Sequence, residues 1–136
     1  IIMNDPKRVI LHCSATPDKG DFIGLEQIKE WHLERGWRDV GYHYIIRRSG
    51  LIEFGRPEDQ QGAHTKGHNR NSLGICLVGT RDFTLEQVQT LKRLAFEIKK
   101  RHGIIHSNWF CHYQFANKDC PNIPVEIVRT VVQSAI

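Results

Sequence analysis

The residues best suited to chemistry in this chain are His12 and, a hundred positions downstream, the pair His112 and Cys120. Two imidazoles and a thiolate form a ligand set that suits zinc. His112 and Cys120 are one local pair, in the run His112-Tyr113-Gln114-Phe115-Ala116-Asn117-Lys118-Asp119-Cys120-Pro121, and no second local pair closes a four-ligand structural site. Three protein ligands leave the fourth position to water or substrate, the way catalytic zinc centres are built. The spacing therefore predicts a hydrolytic zinc centre. With 8 His and 4 Cys in the chain, any single one is more often packed or solvated than a ligand. Context favours His12: it ends the apolar run Val9-Ile10-Leu11 and opens onto Ser14-Ala15-Thr16, a strand end feeding a loop.

The other cysteines read differently. In extended strands Cys13 faces away from His12 and Cys111 away from His112, because successive side chains alternate. Cys76 lies in the apolar run Leu73–Val78. These three read as small buried hydrophobes, which fits synthesis in a reducing compartment, and Cys120 alone has ligand-like surroundings.

Several elements have to position these groups. Lys7–Cys13 reads as a buried strand. Leu25, Ile28 and Trp31 predict a helix from about Gly24, stopped by Gly36 as a left-handed cap. Tyr42–Arg47 and Leu51–Phe54 predict a hairpin around Ser49-Gly50. Arg56–Asn71 has no periodicity, and a loop of that length in a small domain is usually functional or disordered. Leu73–Val78 reads as a central strand. Thr84-Leu85-Glu86-Gln87 is a capping-box start for a helix that Gly103 ends. Trp109–His112 predicts a short strand and Val125–Val132 a final helix. The order β-α-β-β-β-α-β-α predicts an α/β fold, a single domain over residues 1–136 with a mixed central sheet flanked by helices.

Composition bounds the function. A chain of 136 residues with 40% hydrophobic and 25% charged residues is an ordinary globular domain. No apolar stretch approaches a membrane span and no signal peptide is visible, so membrane insertion is not expected. The net charge of +4 favours anionic partners such as acidic polymers or a cell wall. The Lys and Arg residues are scattered, without a basic run of five, which argues against nucleic acid. The paired H-x-E and P-C-x-x-C signature of zinc deaminases is missing, because no P-C-x-x-C is present.

Four segments together resemble the zinc-dependent N-acetylmuramoyl-L-alanine amidases of the phage lysozyme type, in the peptidoglycan recognition protein superfamily. They are HCSAT at 12–16, GWRDVGYHYII at 36–46, HTKGHNRNSLGICLVG at 64–79 and the H-x7-C-P ending. The resemblance covers roughly residues 8 to 125, with the motifs in family order. It implies zinc held by His12, His112 and Cys120, with Tyr42 and Lys118 as catalytic groups beside it. It also implies cleavage of the amide between N-acetylmuramic acid and L-alanine in peptidoglycan, with His64, Asn71 and Thr16 on the substrate side. Non-hydrolytic recognition proteins often lack the metal-binding Cys, which this chain keeps. Asn122-Ile123-Pro124 departs from the usual residues after Cys-Pro and leaves the final helix start open. Taken alone, Tyr42 also reads as a core aromatic, Lys118 as a solvated loop charge and His64 as a surface residue. No H-E-x-x-H glutamate is present, so Tyr42, Lys118 or zinc hydroxide remain as proton carriers. The implied setting is cytoplasmic synthesis as a monomer, with action on the cell wall. The alternative is a non-catalytic peptidoglycan-binding or regulatory protein.

Overall fold

The computed structural model describes residues 3–135. Its elements are β1 (Arg8–Cys13), α1 (Leu25–Glu34), β2 (Tyr44–Ile46), β3 (Ile52–Phe54), β4 (Ser72–Leu77), α2 (Leu85–His102), β5 (Trp109–Cys111) and α3 (Val125–Gln133). The five strands form one mixed sheet in the order β3-β2-β4-β1-β5, with β4 at the centre. β1 runs parallel to β4 and β5, β2 runs parallel to β4, and only the β2–β3 hairpin is antiparallel. This is the α/β architecture expected from the element order.

Alternation along the strands sorts side chains onto two faces. Val9 and Leu11, Leu73, Ile75 and Leu77, and Trp109 and Cys111 point to one face and pack with α2 and α3 in the larger core. Ile45, Cys76 and Val78 point to the other, where they meet Ile28 of α1 and Val40 in a smaller core. His12 shares the parity of Ile10, and His112 that of Phe110, so both imidazoles belong to the second, thinly covered face. A larger core on one side, and a smaller core beside the two imidazoles on the other, follow from period two.

The helices are anchored where the sequence signals them. Thr84 caps α2, its hydroxyl accepting from Gln87 N–H at 3.0 Å, while Gln87 Oε1 accepts from Thr84 N–H at 2.9 Å. Gln87 is fully buried, and its Nε2 donates to the Val78 carbonyl at 2.8 Å, tying the first turn of α2 to the end of β4. Gly103, at φ +70°, ends α2 in the left-handed region, as glycine readily does. The short strands are trimmed at their ends. Tyr42 and His43 precede β2, yet their backbone continues its pairing, since His43 N–H donates to the Gly74 carbonyl at 2.9 Å. His112, expected inside the last strand, instead opens a 3-10 turn over His112–Gln114. The chain there must leave the sheet to bring Cys120 back, and Tyr113 N–H donates to the Cys120 carbonyl at 2.9 Å.

Candidate active site

His12 is the penultimate residue of β1 and His112 the first residue after the parallel strand β5. Both therefore sit at carboxyl ends of neighbouring strands, where open α/β sheets place their ligands. Cys120 arrives on the returning loop. Its Sγ accepts from Cys13 N–H at 3.1 Å, which pins it to the end of β1. His12, His112 and Cys120 each offer one possible ligand atom, and these atoms all lie within 4.8 Å of one another.

The donor set fits a tetrahedral metal ion. His12 Nδ1 and His112 Nδ1 are 3.1 Å apart, and two bare lone pairs at that distance repel unless a proton or a cation lies between them. Zn–N bonds of about 2.0–2.1 Å at the tetrahedral angle give an N···N edge of roughly 3.3 Å, close to what is seen. Burial lowers the pKa of His12 well below its usual value, with His64, His112 and Lys118 adding to the effect. Burial also lowers His112, again helped by Lys118. Both rings are therefore neutral near pH 7, as metal ligation requires.

Behind His12 lies a second row of polar groups. His12 Nε2 is 2.9 Å from His64 Nδ1 and 3.2 Å from Thr65 Oγ1. Ser72 Oγ stands 3.3 Å from His64 Nε2. Burial, with nearby His43, His112, Arg56 and Arg8, lowers His64 to about 3. Gly74 makes room for this ring, because a Cβ there would come within 2.5 Å of it. An isolated glycine inside a buried strand signals such a close approach, and it was the available sequence clue to this arrangement.

In front of these three residues opens a cleft of about 690 Å³. Tyr42, His64, Thr65, His112, Phe115 and Lys118 are among its walls. Its lining also includes Arg35 and Lys66 and contains no carboxylate, so the cleft is positive. The ring of Tyr42 stands 5.2 Å from that of His12. Burial raises the Tyr42 pKa well above 10, and the neighbouring thiols of Cys76, Cys120 and Cys13 raise it further. Its hydroxyl therefore stays protonated near pH 7. Lys118 is exposed at the rim, close enough to His12 and His112 to depress both.

The structure thus brings together His12, His112, Cys120, Tyr42, Lys118 and His64. It does not bring Asn71 or Thr16 to the cleft. Asn71 adopts φ +56° just before β4, at the strand end opposite His12 and His112, where its Oδ1 accepts from Asp5 N–H at 3.0 Å. Thr16 is buried past the end of β1, its Oγ1 2.6 Å from Ser14 Oγ. Both are occupied in holding loops, Asn71 at the start of β4 and Thr16 against the segment after it. Cys76 and Cys111 are fully buried, and burial pushes their thiols up, to about 11 for Cys111. Cys13 is buried as well, and it is its backbone N–H and carbonyl that meet the Cys120 Sγ, at 3.1 and 3.6 Å.

Residues 3–123 match the family of N-acetylmuramoyl-L-alanine amidases. The chain is 40% identical over 131 residues to the endolysin of Klebsiella phage KP32, an alignment covering 90% of this chain and 84% of that one. In fold it is similar to the N-acetylmuramoyl-L-alanine amidase LysC from Clostridium intestinale, with a TM-score of 0.81 and 28% identity over 93% of this chain and 85% of that one. Peptidoglycan recognition protein-LE in complex with tracheal cytotoxin, a monomeric diaminopimelic acid-type peptidoglycan, is similar at a TM-score of 0.79 and 26% identity, covering 93% and 81% of the two chains.

Proposed function

This chain belongs to the N-acetylmuramoyl-L-alanine amidase family, and on that premise we propose a zinc-dependent enzyme whose metal is held by His12, His112 and Cys120. It hydrolyses the amide between N-acetylmuramic acid and L-alanine, the activity its family is named for. The observation that carries the zinc reading is the convergence of two neutral imidazole nitrogens and one thiol at the floor of a positive cleft. Bound there, zinc supplies Lewis acidity that polarises a carbonyl and activates water.

The remaining work falls to the chain. The cleft accepts a muramyl peptide, and Arg35, Lys66 and Lys118 complement the carboxylates of its peptide stem. As the scissile carbon becomes tetrahedral, negative charge grows on its oxygen, and the Lys118 ammonium at the rim neutralises it. Tyr42, held protonated by burial, donates a hydrogen bond from its hydroxyl and does not serve as the base. Peptidoglycan is the partner, and the setting is synthesis in the cytoplasm followed by action on the cell wall. Among the described residues no helix is long and apolar enough to cross a membrane.

Incubating the pure protein with a defined N-acetylmuramoyl peptide and identifying products by mass spectrometry tests the reading. A free peptide with N-terminal alanine and an intact muramic acid are expected. A substrate bound but left intact would make the chain a recognition protein instead.

A further inference from the structure

His12 has a second ring nitrogen that the proposed ligand set leaves unused, and the proton directions behind it follow from the far end of the chain of contacts. Ser72 Oγ lies 2.9 Å from the carbonyl oxygens of both His68 and Asn69. Carbonyls only accept, so the single hydroxyl proton of Ser72 is committed to them. Toward His64 Nε2, Ser72 Oγ is therefore an acceptor, and the His64 proton sits on Nε2. That leaves His64 Nδ1 bare in the neutral ring. It accepts from Thr65 Oγ1 at 3.0 Å and from His12 Nε2 at 2.9 Å. With Thr65 Oγ1 also 3.2 Å away, a proton on His12 Nε2 meets an acceptor on each side. The other nitrogen of His12, Nδ1, is then unprotonated, and it is the atom that faces His112 Nδ1, in the cluster that Cys120 completes.

We propose that Ser72, His64 and Thr65 are positioning residues that lock His12 in its Nε2–H tautomer, aiming the Nδ1 lone pair at the metal position before any metal arrives. The proposal rests on the zinc reading above for its consequence, though not for its geometry. The relay is rigid. Asn69 Oδ1 accepts from the backbone N–H of both His64 and Thr65, at 2.9 and 2.7 Å. Gly62 and Gly74 both face the His64 ring, where a Cβ would stand 2.6 and 2.5 Å from it. His12 in the other tautomer would present an N–H to the cation and would have to move that proton before ligating. Outer partners of this kind typically change metal affinity by roughly 10–100-fold.

Long-range 1H–15N NMR on metal-free protein reads the tautomers directly. His12 and His64 are both expected to carry their proton on Nε2. His64→Phe keeps a ring between the glycines and Thr65→Val keeps the side-chain shape, yet each removes an acceptor. Each is expected to raise the zinc dissociation constant roughly 10–100-fold. The double variant should show mixed His12 tautomers, and Thr65→Ser should restore wild-type affinity. A wild-type His12 protonated on Nδ1, or variants that bind zinc as tightly as wild type, would overturn the relay. A wild-type chain with the expected tautomers that binds no zinc would support the relay and overturn the zinc reading alone.

Discussion

Lys118 and Tyr42 occupy the same cleft but are held in opposite ways. Lys118 is exposed at the rim, free to follow charge that develops on the substrate, whereas Tyr42 is packed against His12 and the cysteines. An interaction made only in the transition state lowers turnover and leaves binding intact when it is removed. Lys118→Ala is therefore expected to keep zinc and substrate affinity while losing roughly two to three orders of magnitude in kcat. Steady-state kinetics with metal analysis check this, and wild-type turnover would show a solvated loop charge. Tyr42→Phe should behave similarly, since it removes one donor and keeps the ring. Among the cysteines the contrast is sharper: Cys120→Ser should lose zinc and hydrolysis, while Cys111→Ser should retain both and cost only packing stability. Loss of metal from Cys111→Ser alone would reverse the assignment of ligand and core thiols.

The elements show why some of this was legible in the sequence. Thr84 and Gln87 announce a capping box by spacing alone, and the structure forms it with both reciprocal bonds. Thr84→Ala is expected to cost about 1 kcal/mol in denaturant unfolding without changing zinc content. That Cys13 faces away from His12 and Cys111 away from His112 followed from strand alternation, a local rule that needs no tertiary knowledge, and Cys76 was read as buried from its apolar run. Asn71 and Thr16 were out of reach of that rule. Each lies in a motif beside functional residues, but which end of a strand meets the ligands depends on sheet order, and β4 carries Asn71 to the far end. His64 illustrates the same limit, because its place behind His12 depends on a loop folding back over Gly74. That loop is tied to α2 through Glu58. Burial works against its ionisation, but hydrogen bonds from Arg101, Tyr44 and His102 prevail and hold the carboxyl at about 2. A carboxyl depressed in the folded state stabilises above its unfolded pKa, and that contribution is lost as pH falls from about 4.5 toward 2. Glu58→Gln should flatten the acid limb of the stability profile in that window.

Across the whole molecule the site is assembled from opposite ends of the chain, His12 near one terminus and Cys120 near the other, so metal binding and folding are coupled. Without metal the buried imidazoles are a liability in acid. His64 is lowered to about 3 and His32 to about 4, in both cases chiefly by burial. Between those values and 6.5 the unfolded rings bind protons that the folded ones do not, so stability rises with pH through that window and falls as acid is added. Each such ring contributes at most about 1.4 kcal/mol per pH unit. Thermal melts of chelated protein from pH 7 to pH 4 should show a steepening loss, and a flat profile would mean the rings titrate freely in the folded state.

The zinc assignment itself is tested most directly by metal analysis and X-ray absorption on protein that is actively cleaving muramyl peptide. One zinc per chain is expected, with a shell of two imidazole nitrogens and one sulfur and a remaining light-atom ligand, and with the sulfur and the activity both lost in Cys120→Ser. Active protein that contains no zinc, or a zinc shell without sulfur, would contradict the assignment of His12, His112 and Cys120.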